Sequence, residues 1–331
     1  MDILFISGIA NDNKVSAVLD KNGRFQYLLN GSSSVAPHME NITEFKSHRF
    51  ILGGTGGHQR YGFQFHPAVI FNEISDPDTH SHSLGRCIDF CNQQKAPVLN
   101  RPEAIQQTRR DLVTEALNDI PGVETPKTIR FSPKTPEDVR KQINAHFTGP
   151  VLLREAGTHG GKSLTKIDSL YNIEQQLYPF ALDGRPYYLI EFRNFVSGDG
   201  FYRKFRIVVI EGVPYLRHML INDHWMVHRT AREFMSSRKA LQEEEKQWIE
   251  TFYKKPPVEL TSKIMKIADR LKLDYFGIDC NLDEDGNMLI FEANANMNIL
   301  INTQPSPNLW DAPISAIHEH LKAVILARTK A

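Results

Sequence analysis

Apolar residues along this chain recur with a period of two in some stretches and nearer four in others, and the changes of period mark its elements. Ile3 to Ile6, Phe50 to Leu52 and Pro67 to Glu73 are short apolar runs. Ser83 to Gln93 follows at helical spacing, and then comes Ala96 to Asn100. Strand, helix, strand in that order predicts parallel pairing in a small α/β unit over residues 1–100. Helical spacing returns from Pro102 to Asp119, with proline at the first turn, and from Thr135 to Phe147. Residues 150–168 read as two strands around a glycine-rich loop, and 187–192 as another strand. A hairpin turning at Glu211-Gly212 comes next, and 218–228 reads as strand, turn and strand. Helices are predicted over 242–253, 260–271 and 313–328.

The stretch from Asp274 to Ile299 carries most chemistry. It reads as a hairpin with Asp285-Gly286 as a two-residue turn, so that paired positions share a constant sum. Asp279 then faces Glu292, with Asn294 on the same face and Asn296 continuing the alternation. Ile278, Cys280 and Leu282 meet Leu289, Phe291 and Ala293 on the other face. Facing carboxylates repel, so the arrangement makes sense with a cation between them. Two carboxylates and an amide oxygen form a hard ligand set suited to Mg²⁺.

Composition narrows the alternatives. The chain has 331 residues, enough for two or three domains, with 41% hydrophobic and 24% charged residues, as in a globular protein. Its 39 basic and 39 acidic residues give no net field to hold nucleic acid or an acidic membrane. Three cysteines make no disulfide framework, and no run is long and apolar enough to span a bilayer. The N-terminus lacks the basic start of a signal peptide. A reduced cytoplasmic setting is expected.

Two further segments suit phosphate. In 149–167 a strand ending at Arg154 leads into Gly157, Gly160 and Gly161, then Lys162-Ser163. Ala156 stands where a P-loop needs glycine, and Leu164 to Ile167 alternates like a strand, so a flap closing over a triphosphate fits better. In 187–210, Glu191-Phe192-Arg193 ends a strand whose backbone suits an adenine edge. Lys204 and Arg206 share one face of the next strand, while Arg203 points the other way. Loops 30–38, 53–58 and 76–82 are rich in Ser, Gly or His, and His218, His224 and His228 show no zinc pattern.

Together these segments, over about 100–305, resemble the ATP-grasp enzymes, most of all their carboxylate–amine ligases. The resemblance implies a three-domain α/β (α+β) fold: a Rossmann-like pre-ATP-grasp domain at 1–100, a central subdomain with the flap at 101–185, and a C-terminal subdomain at 186–331. It implies Asp279, Glu292 and Asn294 as ligands of Mg²⁺, or of Mn²⁺. ATP would be held by Arg110, Arg154, Gly157, Gly160, Gly161, Lys162, Ser163, Glu191, Phe192, Asn194, Asp199 and Lys204. Arg206 and Arg217 would steady the reacting phosphate or tetrahedral intermediate. Arg154 stands where the family usually has lysine, which keeps charge but changes geometry. The implied reaction joins a small-molecule carboxylate to an amine through an acyl phosphate, releasing ADP and phosphate. A homodimer is one option. A kinase-like phosphotransferase or a non-catalytic nucleotide-binding regulator are the alternatives.

Overall fold

The computed structural model describes residues 1–19, 23, 25–29, 31, 35–39, 42–53, 65–297, 299–302 and 304–330. Loop 53–58, apart from Gly53, and positions 30 and 32–34 of loop 30–38 lie outside them. Four strands, Lys46–Leu52, Asp2–Gly8, Val69–Asn72 and Val98–Leu99, form a first sheet in that order, all parallel. Ile3 to Ile6 are at most 1% exposed, because this sheet is covered on both faces. Leu4 and Ile6 pack towards Leu84, Cys87 and Phe90 of the Ser81–Asn92 helix. Ile3 and Phe5 pack towards Ile317, Leu321 and Ile325 of the closing helix, Asp311–Arg328. Cys87 and Cys91 are buried free thiols with their sulfurs 3.9 Å apart.

A second, antiparallel sheet runs Leu164–Ile167, Val151–Glu155, Tyr187–Glu191, Thr128–Phe131. The Pro136–His146 helix lays Val139 and Ile143 on it and starts with a capping box between Thr135 and Asp138. The third sheet runs Val213–Asn222, Tyr202–Ile210, Tyr275–Leu282, Met288–Ala295, with Val123–Glu124 added in parallel at its edge. Leu260, Ile264, Ile267 and Leu271 recur at helical spacing along Val258–Leu271 and cover one face of this sheet with Ile249 and Phe252. On the opposite face Val208, Ile210 and Tyr275 are buried against the closing helix and the first sheet, and the part around Lys204, Arg206 and Asp279 faces a cleft. The turn at Glu211-Gly212 has φ of 46° and 81°, both positive, as a two-residue hairpin turn requires.

Several elements depart from the periodicity. The helix expected over 102–119 is two helices, Pro102–Gln106 and Arg110–Leu117. Between them the Thr108 hydroxyl donates to the Ile105 carbonyl and Arg109 is extended, with ψ of 145°, a local side-chain bond that competes with the helix ladder. After Asn222 no second strand follows; the chain runs through a loop into the Ala231–Ser236 helix. Asn296 does not continue the acidic face. It has φ of 49° and turns to donate to the carbonyls of Asn72 and Ile74, while its oxygen accepts from Asn100 at 2.6 Å. Asn100 also bonds Tyr275 and Asp274, so two asparagines stitch the first sheet to the third.

Candidate active site

A cleft of about 210 Å³ lies between the second and third sheets. Its floor is the part of the third sheet's second face that the closing helix leaves open, and it begins with the hairpin. Asp279 pairs with Glu292 across the strands, and the constant sum holds from Phe276–Ala295 to that pair. Beyond it the register slips: Cys280 pairs with Ile290, Phe291 is the extra residue, and the connection spans 283–287. Asp283 causes the longer loop by accepting from the amide and side chain of Asn287 at 2.7 and 2.9 Å. The bulge inverts the faces after Glu292. Met288 and Ile290 are buried in the core, and Phe291 turns to the cleft, 4.7 Å from the Phe195 ring. The two-residue turn and the apolar pairing of Leu289 and Phe291 with Cys280 and Leu282 are therefore corrected.

Cations surround the carboxylates. Arg206 grips Asp279 through Nε at 2.7 Å and Nη2 at 2.9 Å, and Lys204 Nζ adds a bond at 3.1 Å. Arg110, placed at the start of its helix by the break at 107–109, pairs with Glu292 and donates to the Phe291 carbonyl at 3.0 Å. Burial opposes ionisation of both carboxylates, but Arg206 and Lys204 at Asp279, and Arg110 at Glu292, outweigh it and hold both well below the usual carboxylate range. Arg154, 8% exposed, donates through Nε to the Thr158 carbonyl of the flap at 3.1 Å. Burial and then the neighbouring Arg110 lower its pKa to about 9. It remains charged near neutrality. Five cations, Arg110, Arg154, Arg193, Lys204 and Arg206, against three carboxylates, Glu191, Asp279 and Glu292, leave two positive charges in excess, which suits a polyanionic ligand more than a bare cation.

The donor set also fits a hard metal ion. Asp279 and Glu292 are ionised, and Asn294 lines the same cleft. Among the described residues no three His, Cys, Asp or Glu side chains cluster as a metal group, so the amide oxygen is needed to complete the set.

The structure brings Arg110, Arg154, Gly160, Gly161, Glu191, Phe192, Lys204, Arg206, Asp279, Glu292 and Asn294 to the cleft wall. Six expected residues lie elsewhere. Gly157 packs against Thr79, Lys162 and Ser163 close the far end of the flap, and Asn194 accepts from the Tyr202 hydroxyl. Asp199 is paired with Arg203, which also binds Glu244. Arg217 is the extra residue of a second bulge, between the Arg206–His218 and Ile207–Leu216 pairs. Its guanidinium braces the carbonyls of Ile299 and Ile301. Sequence reasoning missed Phe195 and Phe291, and it missed the Trp225–His228 loop as a wall. The aromatic residues carried a signal only as a cluster at 192–202; the bulge that turns Phe291 inward has none.

The flap is held from the first sheet. Asp76, 6% exposed, accepts from His159 Nε2 at 3.0 Å. Asp78 accepts from the Tyr188 hydroxyl at 2.6 Å and from Arg130 at 3.3 Å. Loop 76–82 is thus a brace on the flap sheet.

Among solved structures this arrangement matches proteins of one architecture. The VanG D-Ala:D-Ser ligase of Enterococcus faecalis superposes with a TM-score of 0.56 at 13% identity, covering 98% of this chain and 99% of that one. The RimK domain ATP-grasp protein of Sphaerobacter thermophilus gives 0.53 at 13%, covering 97% and 100%. The ATP-grasp ligase PsnB, bound to a minimal precursor, Mg and ADP, gives 0.50 at 15%, covering 99% and 98%. No protein-family profile matches the chain, and no curated protein sequence does. The chain has the multi-domain α/β fold of the ATP-grasp proteins. No helix among the described residues is long and apolar enough to cross a membrane.

Proposed function

We propose that the protein is an ATP-dependent ligase that joins a carboxylate to an amine. The observation that carries this reading is the cleft floor, where two ionised carboxylates and Asn294 lie among four cations under a glycine flap. Its structural neighbours, which include a D-Ala:D-Ser ligase and a ligase bound to Mg and ADP, support the same class. Adenine would sit against Glu191 to Arg193, beside the Phe192 ring, over which Lys166 Nζ stands at 4.1 Å.

Asp279, Glu292 and Asn294 would hold Mg²⁺, or Mn²⁺, which when bound neutralises charge on the phosphates. Arg206, Lys204 and Arg110 pair with those carboxylates. Phosphate oxygens of a bound nucleotide would compete for the same cations, leaving Asp279, Glu292 and Asn294 as the groups that would hold the ion. A substrate carboxylate oxygen attacks the γ-phosphorus and ADP leaves. The amine nitrogen attacks the acyl carbon, phosphate departs, and the amine proton passes to solvent. The cationic side chains stabilise charge on both oxyanions, and the flap excludes water. Arg217 acts at one remove, by bracing 299–301 beside the floor.

Asp279→Asn and Glu292→Gln should each lower ATP turnover by more than about 100-fold, as loss of a transition-state charge partner does. Unimpaired turnover in both variants would remove the basis for the assignment.

A further inference from the structure

We propose that His228 is a hydrogen-bond donor to a bound phosphate in this cleft, set opposite the glycine flap; the proposal rests on the nucleotide reading above. His228 comes from the loop after the Val213–Asn222 strand and lines the cleft with Trp225. Its Cδ2 lies 3.4 Å from where a side chain on Gly161 would begin, and Gly161 has φ of 79°. The imidazole therefore lies within van der Waals range of the flap at Gly161, whose positive φ disfavours a side chain there.

The ring's tautomer follows from its other neighbour. The Thr230 amide donates to His228 Nδ1 at 3.2 Å, and the Thr230 hydroxyl lies 3.0 Å from the same atom. A backbone N–H can only donate, so Nδ1 carries the lone pair and the neutral ring has its proton on Nε2. Nε2 is bonded to Cδ2, the atom against the flap, so the N–H sits at the boundary between flap and cleft. The loop fixes both the position and the polarity of the group before any ligand arrives. Such a preset donor serves an oxygen acceptor, and in a cleft with excess positive charge under a glycine flap that acceptor is a phosphate oxygen. Trp225, on the same loop, stands edge-on to Phe192 with ring centres 5.6 Å apart. The loop thus touches the base end through Trp225 and the flap end through His228.

The test is calorimetric titration of the full-length protein with MgATP, comparing His228→Ala, His228→Asn and His228→Gln, with unfolding midpoints recorded alongside. The Gln amide reaches the Nε2 position, whereas the Asn amide reaches only Nδ1. Ala and Asn should weaken binding about tenfold, the effect of one lost hydrogen bond to a charged group, and Gln should recover it to within about threefold. If Ala binds as tightly as the parent, or if Asn restores binding and Gln does not, the assignment to Nε2 is overturned. If the parent binds no MgATP, the nucleotide reading fails first and this one with it.

Discussion

Asp279 is 2% exposed and still ionised, because Arg206 and Lys204 stand at hydrogen-bond distance from it. That it faces Glu292 was legible in the sequence, although the turn behind that register is not the one formed: the longer 283–287 connection and the extra residue Phe291 offset each other and restore the same pairing. Which cations neutralise the pair was half legible. Lys204 and Arg206 share a strand face by alternation, but Arg110 reaches Glu292 through a helix break that periodicity does not announce. The same logic makes a prediction at Asp76. Burial raises its pKa, His159 and the amides of the 76–79 turn lower it further, and the result is about 2 against an ordinary 3.8. A carboxylate with a depressed folded-state pKa stabilises fully above its unfolded value and loses that contribution as pH falls through the folded one. Asp76→Asn should therefore cost about 2.5 kcal/mol at pH 6, the free energy that corresponds to a carboxyl lowered from its ordinary value to about 2. Urea unfolding should show the parent and variant converging between about pH 4 and pH 2. A difference that stays constant over that range would contradict the pairing with His159.

Most strands and helices follow from period and punctuation, since each buries a face that only one period can build. What the pattern misses are single-residue irregularities, and these set the site. The bulge at Phe291 turns an aromatic ring into the cleft, and the bulge at Arg217 removes that arginine from the cleft to brace the segment behind it. A bulge adds one residue without changing composition, so alternation reads through it. The flap shows a further limit. Its glycines were visible as a loop, but their partners come from loop 76–82, about eighty residues earlier. A side chain on Gly157 would start 2.3 Å from the Thr79 methyl, at φ of 74°. Gly157→Ala should thus lift the flap from its brace while leaving the three sheets intact. Limited proteolysis should cut the variant faster within 157–163 than the parent, with an unfolding midpoint lowered by only a few degrees, about 1–2 kcal/mol for a non-glycine residue at positive φ. Equal cleavage rates would mean that the brace does not hold the flap.

The molecule as a whole carries no formal net charge, yet its cleft holds an excess of two positive charges. Charge is therefore placed rather than accumulated, as suits a small polyanion and not a nucleic-acid surface. Three sheets create that placement. The first stitches onto the third through Asn100 and Asn296, the second carries the flap and Arg154, and the third supplies the floor. The fold class was within reach of the sequence because three motifs stood in order. The substrates were not, because the residues that would select them lie on loops without a pattern. Ligase and kinase readings share this nucleotide site and part at the acyl phosphate. The deciding measurement is hydroxylamine trapping in the presence of MgATP across a panel of amino acids and short peptides. The account predicts a hydroxamate, seen by mass, that requires both ATP and one class of carboxylate and disappears in Glu292→Gln. ADP release with phosphate found on a hydroxyl or histidine acceptor, and no hydroxamate from any carboxylate, would contradict it.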